Sequence, residues 1–126
     1  MVGVDKPIAG STPGVDFAAL FRLRNHAMAT SGNYRNQVKI GEQVIGHTLD
    51  PRSGLPVENS VLSATVIAAD CRTADALATA LMVLGADEGM RLIDAMEGVE
   101  SLILVDSPSG PVARESASLS LHRLTR

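Results

Sequence analysis

Apolar positions fall in short runs or at alternate residues through most of the chain, and the three-and-four spacing of a helix holds in one region, residues 73–96. Residues 60–69 carry Val61, Leu62, Thr65, Val66 and Ile67 in a run of β-favouring side chains, which predicts a buried strand. Thr73 has the chemistry of an N-cap, and the spacing behind it predicts a helix through Leu84 that Gly85 closes. A second helix is predicted from about Asp87 to Met96, ahead of Gly98. Residues 101–105 read as another apolar strand, Ser107-Pro108-Ser109-Gly110-Pro111 as a turn, and the alternation over residues 118–124 as a final strand.

Upstream, Val2-Gly3-Val4 permits a short strand before a loop rich in Gly and Pro. Residues 17–28 read as a strand pair or an irregular segment, and the small polar residues 29–36 as a turn whose backbone lies close to something. Val38, Ile40, Val44 and Ile45 flank Gly41 and predict a hairpin, followed by a polar loop over residues 46–54. The pattern as a whole predicts one α+β domain over residues 1–126, a mainly antiparallel sheet with two consecutive helices packed on it.

Composition narrows the function classes. Phe17, Phe21 and Tyr34 are the only aromatics, so the core is aliphatic and stacking platforms for nucleic acid are not expected. A formal net charge of -3, with Arg22, Arg24 and Arg35 the nearest thing to a basic cluster, implies no polyanionic partner. Cys71 is the single cysteine; it rules out an internal disulfide and a thiolate metal cage, and a buried, inert thiol is expected. Charge in Met1-Val2-Gly3-Val4-Asp5-Lys6 stands where a signal peptide needs an apolar core, and no apolar run nears the roughly 20 residues of a membrane span, so the chain as written is expected to be soluble.

Three stretches carry candidate chemistry. Asp75 and Thr79 are one helical turn apart among small and apolar residues, the hard oxygen donors that a magnesium ion accepts while keeping waters and phosphate oxygens in its other positions. The same pair also reads as an early-helix Asp favoured by the helix dipole and a Thr bonded back to a carbonyl. His47 precedes Asp50-Pro51-Arg52-Ser53-Gly54; it is either a general base beside an arginine that holds phosphate, or an exposed loop histidine next to a turn-closing Asp50–Arg52 pair. Thr30-Ser31-Gly32 offers hydroxyls and backbone amides to a phosphate or a flavin edge, as many ordinary turns do. His26 and His122 read as structural or exposed, and Walker, Gly-x-Gly-x-x-Gly and Gly-x-Ser-x-Gly patterns are absent.

Taken in order, Ala29-Thr30-Ser31-Gly32-Asn33-Tyr34-Arg35-Asn36 resembles the Thr-Ser-Gly-Asp-Tyr segment of a bacterial family, the FAD:protein FMN transferases or ApbE flavin transferases, formerly called thiamine-biosynthesis lipoproteins. Gly46-His47-Thr48-Leu49-Asp50-Pro51-Arg52-Ser53-Gly54 resembles its His-x-x-Asp-Pro-Arg-Thr-Gly loop, and the stretch from Ser63 through Asp75 and Thr79 to Gly85 is similar to its strand and metal helix. Asn33 and Ser53 depart mildly from the Asp and Thr usual there.

The resemblance implies a flavin-transferase fold of which this chain is the carboxyl-terminal portion, its amino-terminal half absent. It implies magnesium held by Asp75 and Thr79, FAD touched by Thr30, Ser31, Gly32, His47, Thr48 and Leu49, and His47 as the catalytic base. The implied reaction moves FMN from FAD to a Ser or Thr hydroxyl of a target flavoprotein and releases AMP. Members are about twice this length, and the other half normally holds much of the FAD pocket and a backbone carbonyl ligand to the metal. Two alternatives therefore stand beside transfer: an FAD pyrophosphatase using the same site, and a catalytically incomplete fragment that binds flavin or serves assembly, completed by its missing half or by a second copy. Members are often periplasmic or membrane-anchored lipoproteins, some cytoplasmic, and the compartment of this chain is left open.

Overall fold

The computed structural model describes residues 1–33 and 37–124 and, of these, the side chains of all but 37–40 and 43–45. Strand β6 (Val61–Ala68) is the centre of the molecule. It pairs on one side with β3 (Ala27–Gly32) and on the other with β7 (Glu100–Val105), and β7 pairs in turn with β8 (Val112–Glu115). All three ladders are antiparallel, in the order β3-β6-β7-β8.

Alternation along β6 explains its nearly continuous apolar run. Ala64, Val66 and Ala68 point with Ile103 of β7 to one face, where helices α1 (Cys71–Leu84) and α2 (Ala86–Asp94) cover them with Ala74, Ala78, Leu81, Met82, Met90 and Ile93. Ile67 points with Leu102 and Leu104 to the other face. There the ribbon of β1 (Val2–Asp5) and β2 (Phe17–Phe21) lays down Val4, Ala19 and Phe21. Both faces of β6 are covered, and every residue on it but the partly exposed Leu62 is buried; each large aliphatic or aromatic side chain so buried contributes roughly 1.5–3 kcal/mol. The α+β class, the antiparallel sheet and the two consecutive helices expected from the pattern are the observed fold.

Several local expectations are corrected. Thr73 is not the cap of α1: Asp70, with extended backbone, accepts from the Thr73 amide at 2.9 Å and from its hydroxyl at 2.9 Å, so the helix starts at Cys71. That start leaves Cys71 exposed rather than buried. Residues 29–32, expected to begin a turn, belong to β3 instead, because pairing with β6 outweighs their small polar composition. Residues 118–124 do not form the last strand. The chain leaves the sheet after β8, and a 3-10 turn, Leu119–Leu121, buries Leu119 under the ribbon while Leu121 stands 83% exposed. Two leucines separated by one residue satisfy a tight turn as well as a strand, and the sequence pattern does not separate these cases. The hairpin is present as β4 (Gln37–Ile40) and β5 (Gln43–Gly46), turning at Gly41 with φ 64°. Its four apolar side chains, and Tyr34, Arg35 and Asn36, lie outside the described residues.

Candidate functional site

β3 is an edge strand, and its alternation sends neighbouring hydroxyls to opposite faces of the sheet. Thr30 faces the ribbon side, where its Oγ1 lies 2.8 Å from Thr65 Oγ1. Ser31 faces the helix side, where its Oγ lies 3.1 Å from Thr79 Oγ1 of α1. A cleft of about 740 Å³ wraps around this edge. Gly3, Val4 and Asp5 wall it from β1, and His47, Thr48 and Leu49 from the loop after β5.

That loop is fastened by its own backbone. Val57 N–H donates to Thr48 C=O at 3.0 Å, Asp50 N–H to Leu55 C=O at 2.8 Å, and Gly54 N–H to Asp50 C=O at 2.7 Å, with Gly54 at φ 70°. Arg52 donates to both carboxylate oxygens of Asp50, from Nε at 3.0 Å to Oδ1 and from Nη2 at 2.8 Å to Oδ2. These side-chain hydrogen bonds hold the Asp50 carboxyl below the usual carboxylate range and push Arg52 up. Arg52 is thus spent on closing the turn, and it does not line the cleft. Thr48 Oγ1 donates to Asn33 Oδ1 at 3.0 Å and ties the loop to the end of β3.

On α1, Ala74, Ala78, Leu81 and Met82 make the buried stripe, which leaves Asp75 and Thr79 on the exposed flank beside β3. Thr79 Oγ1 donates to the Asp75 carbonyl at 3.3 Å and accepts from Ser31 in the geometry that satisfies both contacts. Thr79 lines the cleft and Asp75 does not. A separation of four residues carries Asp75 about 6 Å back along the helix axis, toward the start of α1. The donors nonetheless suit a hard cation: one carboxylate and one hydroxyl, both exposed, the hydroxyl at a cleft with room for water and phosphate oxygens. Among the described residues no group of three or more His, Cys, Asp or Glu gathers, so a closed protein cage of the kind that holds structural zinc is not what these residues build.

Of the residues singled out from sequence, the fold brings Thr30, Ser31, Gly32, His47, Thr48, Leu49 and Thr79 to one cleft from three separate segments. His26 and His122 lie apart from it, edge to face with ring centroids 4.9 Å apart, and His26 Nδ1 bonds Arg24 C=O at 2.7 Å. Asp5 was missed. It ends β1, and its Oδ1 accepts from Gly14 N–H at 3.0 Å; no local pattern marks it, because only the docking of the ribbon carries it to the edge of β3.

Fold and cleft together define an antiparallel α+β domain with a hydroxyl-lined, imidazole-bearing cleft wrapped around one sheet edge. Residues 1–103 match the model of the ApbE family, and the chain belongs to that family. The FAD:protein FMN transferase of Vibrio cholerae is 38% identical over 111 residues, covering 86% of this chain and 33% of the relative. That of Haemophilus influenzae is 29% identical over 117 residues, covering 93% and 33%. Among solved structures, the ApbE protein of Thermotoga maritima superposes with a TM-score of 0.79 at 30% identity over 98% of this chain and 38% of its own. The apo flavinyl transferase ApbE of Pseudomonas stutzeri gives 0.75 at 30% identity over 96% and 36%. The chain spans about a third of the length of the curated relatives it matches, a smaller share than the half that the resemblance implied.

Proposed function

We propose that this chain supplies the metal-helix and histidine-loop side of a magnesium-dependent flavin transferase, which moves FMN from FAD to a Ser or Thr hydroxyl of a target flavoprotein. One observation carries the reading: hydroxyls of β3, the imidazole-bearing loop and Thr79 of α1 converge on a single open cleft large enough for part of a dinucleotide. The names of the relatives supply the chemistry.

In this reading Thr30, Ser31, Gly32, Thr48 and Leu49 hold the ligand, with side-chain hydroxyls on both sides of the β3 edge. Asp75 and Thr79 would hold magnesium, which when bound neutralises phosphate charge as it develops. His47 takes the proton of the acceptor hydroxyl. The freed oxygen bonds to the FMN-side phosphorus, the bond from that phosphorus to the bridging oxygen breaks, and AMP leaves with the electron pair. Water in place of the hydroxyl gives FMN and AMP, and product analysis with and without an acceptor flavoprotein separates transfer from hydrolysis.

His47→Ala is the direct test. It is expected to spare FAD binding and to slow transfer by about 100-fold or more; unchanged turnover contradicts the role. Asp75 standing outside the cleft favours a second reading, a flavin-binding or assembly module without activity of its own. Calorimetric titration of FAD with and without magnesium decides: heat that depends on magnesium supports the site, and no heat in either condition leaves the assembly module.

A further inference from the structure

The chain after the 3-10 turn lies along the end of β2. Arg22 N–H donates to His122 C=O at 2.9 Å, Leu124 N–H donates to Leu20 C=O at 2.9 Å, and Phe21 bridges Arg123 in antiparallel sense. Leu23 packs into the core on the ribbon side, and alternation turns its neighbours Arg22 and Arg24 outward together. A cleft of about 390 Å³ opens there, lined by Arg22, Arg24, Leu121, His122, Arg123 and Leu124, none of which lines the first cleft.

The segments that carry the arginines are held from two sides. Backbone pairing fixes them on one side. On the other, Asn25 takes φ 56°, a left-handed conformation that Asn tolerates, and beyond it His26 meets the His122 ring edge to face. His26 Nδ1–H donates to Arg24 C=O at 2.7 Å and holds that ring in place.

Charge in the cleft is unbalanced. No Asp or Glu lines it, and Glu115 is paired with Arg123. Among the described residues, the Arg22 and Arg24 side chains have no hydrogen bond or ion pair, and both residues are exposed. Thr125 and Arg126, which come next, carry one guanidinium against one α-carboxylate and leave the sum as it is. A chain of net charge -3 thus turns two unpaired guanidiniums toward one cleft. The guanidinium fork matches the oxygens of a phosphate group, and exposed Leu121 on the rim offers apolar surface to whatever carries that group.

We infer that this cleft is an oxyanion site, which takes a phosphate group between Arg22 and Arg24. The inference stands apart from the flavin site and holds whether or not the first cleft binds FAD. A lipid headgroup and a free phosphate present the same chemistry here, and two arms of one experiment distinguish them.

The chain has three histidines, and their ring-proton NMR signals, assigned by single substitutions, report both clefts: His26 and His122 this one, His47 the first. Inorganic phosphate is titrated at constant pH and ionic strength, with chloride as the matched control. The His122 signal is expected to move saturably in phosphate only, with half-saturation at roughly 1–10 mM. The double variant Arg22→Gln, Arg24→Gln is expected to raise that concentration at least about tenfold with the melting temperature as in the parent, because both side chains are exposed. Arg72→Gln, an exposed arginine outside the cleft, is expected to leave it unchanged. In the second arm, retention of the parent on phosphatidylglycerol vesicles but not on phosphatidylcholine, lost in the double variant, assigns the phosphate to a headgroup. Saturation by phosphate without retention assigns it to a free phosphate. The inference is overturned if neither arm shows binding, if only the His47 signal moves, or if Arg72→Gln weakens binding as much as the double variant.

Discussion

Replacing Thr79 by Val removes one hydroxyl from the proposed metal site and keeps the branched shape of the side chain. The two hydrogen bonds it makes, 3.1 Å to Ser31 and 3.3 Å to the Asp75 carbonyl, are long for hydroxyl groups, and Thr79 is exposed, so water replaces them on removal. The fold is expected to lose no more than about 0.5 kcal/mol, a fall of about 2 °C in melting temperature. Loss of an oxygen ligand is a different quantity: about 1.4 kcal/mol or more of magnesium-dependent FAD affinity, at least about tenfold. Fluorescence titration of FAD in magnesium and in EDTA, beside thermal melts, measures both. Thr79→Ser restores the hydroxyl and is expected to recover most of the affinity, and Asp75→Ala to lose it as Thr79→Val does. Equal FAD affinity of Thr79→Val and parent in magnesium refutes the ligand assignment. An equal loss in EDTA shows that Thr79 meets the nucleotide rather than the metal.

Leu81→Ala should cost about 2–5 kcal/mol in urea unfolding, because Leu81 is fully buried and its Cδ2 is 2.8 Å from where a Cβ on Gly89 would lie, so α2 rests on it; a loss under about 1 kcal/mol contradicts that packing. Asp70→Ala should lower the melting temperature at neutral pH. The Thr73 amide and then its hydroxyl hold the Asp70 carboxyl below the usual range, so its contribution is complete above the unfolded value near 4 and fades as pH falls through the lower folded value. A gap between parent and variant that persists at the acid end argues against the cap. Ser63 is buried with a hydroxyl that has no hydrogen-bond partner among the described residues, and Ser63→Ala is expected to leave stability unchanged or raise it by up to about 1 kcal/mol. A clear loss in the same urea assay shows that the hydroxyl is satisfied.

Local chemistry and period account for what was legible. Residues 61–68 carry strand propensity and burial together, Gly85 ends α1 at φ 82°, and the four-residue spacing of Asp75 and Thr79 follows from helix geometry alone. The cap shifted from Thr73 to Asp70 because both side chains have capping chemistry and only the backbone turn selects between them. The final strand was misplaced because Val112–Glu115, with all four residues exposed, has no alternation to display.

By itself the sequence determined the α+β class, the central strand, the paired helices and the residue types able to handle phosphate and a hard cation, since each depends on neighbours within about ten positions. Tertiary structure alone decided that β3 lies at a sheet edge, that Ser31 meets Thr79 across 48 positions, that Arg52 closes its own turn, and that Asp5 joins the cleft while Asp75 stands one turn outside it. The physical reason is that a cleft is a property of packed surfaces. Which groups face one another there follows from ladder register and the docking of the ribbon, long-range terms that no local pattern encodes.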